Sequence, residues 1–172
     1  SKKIKVALAT THIQLAEVTK NIQKAKLVKI IQILHSGLKN KLKIKHPSIT
    51  VLGLNPHAGE SGKIGMEEIK KINPAVKACR DMGINASYAI SADTAFNREK
   101  LKETDAYLAM YHDQALPVLK ALSFGEAVNI TLGTSIVRTS VDHGTALDVA
   151  GKLKPNLGSI KEAIKAAEIQ LQ

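Results

Sequence analysis

Apolar residues gather in short runs at 4–10, 49–54, 86–90, 106–110 and 127–132, each bounded by polar or turn-forming residues. Runs of this length predict strands. Between them the apolar positions follow helical spacing. Leu27, Ile30, Ile31, Leu34 and Leu38 mark a helix over 23–39, punctuated by Gly37 and stopped before Pro47. A second helix opens at Asn73-Pro74, with Asn73 as cap and Pro74 in the first turn, and closes at Gly83. Ser159-Ile160-Lys161-Glu162 reads as a capping box for a last helix, whose stripe of Ile160, Ala163, Ile164, Ala167 and Leu171 calls for a surface to bury against. Strands alternating with helices predict an α/β fold with a mainly parallel sheet flanked by helices. The segment 151–158 breaks the pattern, which gives an α/β body over 1–150 and a C-terminal helical segment over 151–172.

A chain of 172 residues is long enough for one domain with its own core. Its apolar runs are too short to cross a bilayer, and Ser1-Lys2-Lys3 does not lead into a secretory signal, so a cytoplasmic protein without a membrane partner is expected. The lone Cys79 excludes an internal disulfide and is expected as a small core residue. Charge is unevenly placed. Residues 1–50 hold 11 lysines against the single acid Glu17, while residues 51–172 hold 14 basic and 14 acidic residues, so the net charge of +10 lies in the first 50 positions. Interleaved with a helical apolar series, these lysines read as a solvated helix face. Nucleic-acid binding is not expected, because no arginine precedes Arg80 and no aromatic residue precedes Tyr88.

The candidate chemistry begins with three histidines. His12, His57 and His112 each close an apolar run, in VALATTH, ITVLGLNPH and AYLAMYHDQ. In an open α/β sheet ligands collect beyond the carboxyl ends of strands, so three such histidines can share one metal and leave a coordination position for substrate. The structural alternative is three hydrogen-bonded histidines at strand ends. His35 and His46 are expected at the surface. The loop from Asn55 to Gly65 fails as a P-loop, since His57 stands where glycine is needed and Ile64 follows Lys63, so it reads as a small-residue loop carrying His57. No Gly-x-Gly-x-x-Gly fingerprint is present. Polar residues accumulate between Tyr107 and Gly151, including His112, Asp113, Gln114, Lys120, Asn129, Arg138, Asp142 and His143. Each has a structural account alone: Asp113 as a helix cap, Lys120 solvated, Asn129 at a strand edge, Asp142 paired with Arg138. Together, a lysine and an arginine beside strand ends also suit a phosphate or carboxylate.

These segments resemble the 4-hydroxythreonine-4-phosphate dehydrogenase family of pyridoxal phosphate biosynthesis. The likeness runs through VALATTH at 6–12, GLNPHAGE at 53–60, ADTAF at 92–96, LAMYHDQALPVLK at 108–120, VNITLG at 128–133 and RTSVDHGTALDVAG at 138–151. It implies an isocitrate/isopropylmalate dehydrogenase-like fold, of which this chain matches about the second half of a two-domain subunit. It implies a divalent metal, zinc first with magnesium or cobalt as alternatives, on His12, His57 and His112. It implies substrate contacts from Lys120, Asn129 and Arg138, and an NAD loop at His143, Gly144, Thr145 and Ala146, which explains the missing glycine fingerprint. Asp93 and Asp113 become candidates for orienting the metal-bound imidazoles. No residue is assigned as the base.

The implied activity is an NAD-dependent oxidoreductase converting 4-phosphooxy-L-threonine to 2-amino-3-oxo-4-phosphooxybutanoate, which then loses carbon dioxide to give 3-amino-2-oxopropyl phosphate. The resemblance further implies a homodimer with shared active sites, His12 and His57 from one subunit and His112 from its mate, and a last helix that returns to the other domain. Ser1 in place of an initiating methionine fits a processed or truncated chain, and whether the coding frame extends upstream decides between them. The chain departs from the family at Ser91 for Pro, Ala115 for Gly, Thr134-Ser135 for Leu-Pro and Lys63 for His. Two other readings stay open: a paralogous dehydrogenase acting on a phosphorylated threonate or erythronate or an aromatic cis-diol carboxylate, and a non-catalytic metal- or ligand-binding fragment.

Overall fold

Strands β1 (Val6–Leu8), β2 (Ile49–Val51) and β3 (Ala106–Ala109) form one parallel sheet in the order β1-β3-β2. The computed structural model describes residues 1, 3–123, 125–142, 151 and 157–171. Around the sheet lie α1 (Val18–Asn21), α2 (Lys24–Ser36), α3 (Asn73–Asp81), α4 (Arg98–Glu103) and α5 (His112–Ser123). A hairpin of β4 (Val128–Thr131) and β5 (Arg138–Val141) and a last helix, α6 (Gly158–Leu171), complete the described elements.

The alternation along β3 explains its unbroken apolar sequence. Ala106, Leu108 and Met110 enter the core shared with Leu27, Ile31 and Leu34 of α2 and Val76 and Cys79 of α3. Tyr107 and Ala109 enter the opposite core with Ala115 and Leu119 of α5. A parallel strand covered on both faces has no polar side to show. Tyr107 keeps its hydroxyl satisfied by donating to the Ala95 carbonyl at 3.0 Å. Cys79 is fully buried, as expected, and burial pushes its thiol pKa up.

Five expectations need correction. The run 86–90 lies parallel beside β2 only through the bridges Ile49↔Ala86 and Leu52↔Ile90. Ser87 N and Ile90 N donate to Ile49 O and Val51 O, so three steps on this segment span two on β2, and Val51 N turns to the Ser87 hydroxyl instead of a ladder carbonyl. The run 127–132 does not join the parallel sheet. Its strand β4 pairs antiparallel with β5, a strand the polar sequence RTSV conceals, across a tight connection with no room for a parallel crossover.

Asn73 does not cap α3, because a π-helical turn over Glu68–Ile72 runs straight into it and the Asn73 side chain accepts Ala89 N at 2.9 Å. Only Ala163 of the apolar stripe of α6 is buried. Ser159, Ala163 and Gln170 are buried, whereas Ile160, Ile164 and Leu171 are 43%, 55% and 75% exposed. Hydrogen bonds set this rotation: the Ser159 hydroxyl donates to Ala127 O and accepts Asp142 N, and the Thr139 hydroxyl donates to Ala163 O. The Ser159 hydroxyl thus ties α6 to the hairpin rather than serving as the predicted cap.

Gly37, expected to punctuate α2, has a packing role as well. A Cβ there would stand 2.6 Å from the Leu132 side chain, so glycine lets the hairpin approach the helix. Among the described residues no helix is long and apolar enough to cross a membrane.

Candidate metal and substrate site

Because β1 and β3 are parallel neighbours, their carboxyl ends emerge side by side. The pairing continues past β1, with Ala9 N donating to Ala109 O at 2.8 Å and the buried Thr10 hydroxyl donating to Met110 O at 2.7 Å. His12 follows two residues later and His112 opens α5. Their ring centroids lie 5.5 Å apart at an interplanar angle of 44°. Two imidazoles at this separation fit around one tetrahedral cation with metal–nitrogen bonds of about 2.0–2.1 Å. His112 Nδ1 lies 2.7 Å from Asp113 Oδ1, an arrangement that leaves Nε2 for a ligand.

His57 is held differently. Its loop runs through five consecutive residues of positive φ, 52° at His57, 50° at Ala58, 78° at Gly59, 43° at Glu60 and 57° at Ser61. Each non-glycine residue in this region costs roughly 1–2 kcal/mol, so neighbouring contacts must hold the turn. Glu68, 2% exposed, does so by accepting Leu54 N at 2.7 Å, Asn55 N at 2.8 Å and the Asn55 side-chain amide at 3.0 Å. A Cβ at Gly59 would stand 2.6 Å from Glu68 Oε2, so glycine is required for the loop to close on that carboxylate. Near His57, the carboxyl of Asp93 is held below its ordinary pKa, first by the Ser91 hydroxyl that donates to it and also by the charge of His57. Sequence patterning did not single out Glu68, since a carboxylate within a run of charged residues looks like a solvated one.

The proposed substrate contacts come from the hairpin and α5. In the antiparallel register Asn129 faces Ser140 and Thr131 faces Arg138, so Asn129 and Arg138 share one face of the hairpin. Both are exposed, and Arg138 donates to the Thr131 hydroxyl at 3.1 Å. Lys120 Nζ lies 3.3 Å from Asp142 O and 3.5 Å from Asp142 Oδ2, so Asp142 pairs with Lys120 rather than with Arg138. His12, His112, Asn129 and Asp142 line one cleft of about 950 Å3. A smaller hollow of about 330 Å3, between α2 and the hairpin, holds none of the candidate histidines.

Among the described residues no three His, Cys, Asp or Glu side chains are grouped so as to hold a metal. One chain therefore brings together a pair, His12 and His112, with His57 on a separate loop beside Asp93. His143, Gly144, Thr145 and Ala146 lie outside the described residues. His46 is exposed, as expected, but His35 is half-buried and its Nδ1 is shut off without a hydrogen-bond partner.

The family described as pyridoxal phosphate biosynthetic protein PdxA matches residues 1–167. The chain is 56% identical over 165 residues to the 4-hydroxythreonine-4-phosphate dehydrogenase of Chromobacterium violaceum, covering 96% of this chain and 50% of the relative. It is 51% identical over 164 residues to that of Pseudomonas aeruginosa, covering 95% and 50%. The crystal structure of the Klebsiella pneumoniae 4-hydroxythreonine-4-phosphate dehydrogenase superposes with a TM-score of 0.88 at 35% identity, covering 100% of this chain and 52% of that one. A terephthalate 1,2-cis-dihydrodiol dehydrogenase from Burkholderia xenovorans superposes with a TM-score of 0.79 at 26% identity, covering 97% and 53%. The chain spans about half the length of the curated relatives it matches.

Proposed function

The chain belongs to the pyridoxal phosphate biosynthetic protein PdxA family, and from that premise we propose that it forms the metal- and substrate-binding part of a 4-hydroxythreonine-4-phosphate dehydrogenase. The observation that carries the site assignment is the 5.5 Å approach of His12 and His112 at a cleft also lined by Asn129. The reaction is oxidation of 4-phosphooxy-L-threonine to 2-amino-3-oxo-4-phosphooxybutanoate, followed by decarboxylation to 3-amino-2-oxopropyl phosphate.

His12, His57 and His112 would hold a divalent cation, zinc first, with magnesium or cobalt as alternatives. That cation would stabilise negative charge on the substrate oxygen, and NAD would accept the hydride. The chain's own part is to bind and orient. Asp113 fixes the His112 ring through Nδ1. Lys120, Asn129 and Arg138 contact the phosphorylated substrate in this reading, the two cations by charge to its phosphate or carboxylate and the amide by hydrogen bonding. His143, Gly144, Thr145 and Ala146 are the NAD contacts in this reading. A homodimer completes the site, a reading supported by the pairing of only two of the three histidines in one chain. The protein is assigned to the cytoplasm.

A second reading, oxidation of an aromatic cis-diol carboxylate, draws on the Burkholderia xenovorans structure, but at 26% identity against 51–56% for the threonine-phosphate enzymes it stands second. The test is NADH formation by the full-length protein with 4-phosphooxy-L-threonine, phosphorylated threonate, phosphorylated erythronate and an aromatic cis-diol carboxylate. The proposal expects the first to be turned over best, and preference for any other overturns the substrate assignment. Metal binding with no NAD binding would instead favour a non-catalytic role. The 172-residue chain by itself is expected to turn over below roughly 1 per second.

A further inference from the structure

Lys120 of α5 and Asp142, which follows directly on β5, meet beside the cleft that Asp142 lines with His112 and Asn129. Two oxygens of Asp142 receive the ammonium: Lys120 Nζ lies 3.3 Å from the backbone O and 3.5 Å from Oδ2. Asp142 is itself fixed from behind. Its N–H donates at 3.1 Å to the Ser159 hydroxyl, which is buried in the first turn of α6 and donates on to Ala127 O at 2.8 Å. One hydroxyl therefore ties the end of β5 to the residue ahead of β4, and the carbonyl and carboxylate of Asp142 are held toward α5. The lysine is the looser partner, with its side chain 46% exposed against 26% for Asp142. An ion pair this open to water adds little to folding, but it restricts a long side chain that would otherwise lose its freedom only when a ligand binds.

We propose that Asp142 is a positioning residue for substrate binding: it directs two of the three ammonium N–H groups of Lys120 and leaves the third for a phosphate or carboxylate oxygen of the substrate. The inference rests on the reading of Lys120 as a substrate contact and adds to it a residue outside that contact set. Charge and position pull in opposite directions here. As a mere neighbouring charge, the carboxylate would repel an anionic substrate, and its removal would tighten binding. As the group that holds Lys120, its removal weakens binding, and only while the lysine is present.

The test is the Kd for 4-phosphooxy-L-threonine, measured by titration calorimetry in the full-length protein and in Asp142→Ala, Lys120→Ala, the double variant and Asp81→Ala. Asp142→Ala is expected to bind the substrate on the order of threefold to tenfold more weakly, with its thermal unfolding midpoint unchanged. In the Lys120→Ala background the same substitution is expected to have no further effect. Asp81→Ala removes a comparable exposed ion pair, to Lys77 at 2.8 Å on α3, and is expected to leave the Kd unchanged. Asp142→Asn carries the comparison if Asp142→Ala does not fold. Binding that is unchanged or tighter in Asp142→Ala, while Lys120→Ala weakens it, overturns the inference and leaves Lys120 as a substrate contact. An equal loss with and without Lys120 also overturns it, because Asp142 would then act independently of the lysine. A Lys120→Ala variant that binds like the parent, or a parent that binds no 4-phosphooxy-L-threonine, overturns the substrate reading and this inference with it.

Discussion

Asp113 Oδ1 lies 2.7 Å from His112 Nδ1, with the carboxylate side chain 82% exposed and the imidazole 40% exposed. So exposed a pair contributes little to folding, and its consequence is the orientation of the ring. Asp113→Asn is therefore expected to change stability by less than about 0.5 kcal/mol. The same variant is expected to weaken zinc binding by on the order of tenfold. Chemical denaturation and zinc titration on the same preparation separate the two effects, and unchanged zinc affinity would contradict the orienting role.

Glu68 gives the opposite balance. It is buried, and its carboxylate receives two backbone N–H groups and a side-chain amide. Glu68→Ala strands those donors away from water, at about 1–3 kcal/mol for an unsatisfied buried group. A loss of roughly 2–4 kcal/mol in urea unfolding is expected, together with protease sensitivity in the loop around His57. A stability loss below about 0.5 kcal/mol would mean that the left-handed loop is held by other contacts.

The Asp93 carboxyl carries a signature in pH. Its pKa is lowered in the folded state, first by the Ser91 hydroxyl and also by the charge of His57. A depressed folded pKa means that the group's contribution to stability is present above the unfolded carboxylate value. The contribution is lost as pH falls through the lower folded one. Ser91→Ala is expected to raise the Asp93 pKa toward the ordinary range, read by NMR titration of the side-chain carboxyl. A titration that does not move would remove Ser91 as the main cause.

The rotation of α6 yields a packing contrast. Ala163 is 3% exposed and its carbonyl receives the Thr139 hydroxyl, whereas Ile164 is 55% exposed. Ala163→Leu overpacks the contact with β5 and is expected to cost about 1–3 kcal/mol. Ile164→Lys is expected to stay within about 0.5 kcal/mol in the same thermal unfolding assay. The reverse order would mean that the helix buries its Ile164 side rather than its Ala163 side.

That contrast marks where sequence patterning reaches its limit. The runs that became β1, β2 and β3 were legible because a strand buried on both faces must be apolar throughout, as Ala106, Leu108 and Tyr107 are. The face of α6 was not, because a helix docked through Ser159 and Thr139 hydroxyls can turn small and polar residues inward and leave isoleucines outside. β5 was hidden for a related reason: three of its four residues, Arg138, Thr139 and Ser140, are polar, and only the pairing with β4 makes them a strand. At the site, the positions of His12 and His112 followed from strand ends, since neighbouring parallel strands deliver them to one edge. The supports supplied by Glu68 and Asp142 depend on contacts between segments distant in sequence, which no local pattern encodes.

The metal reading of the three strand-ending histidines is tested most directly by metal analysis of the purified protein after zinc loading and removal of free ion. The account predicts bound zinc in the parent and in His35→Ala, and strong depletion in His12→Ala, His57→Ala and His112→Ala. Equal zinc content in His35→Ala and in all three strand-end variants would contradict it.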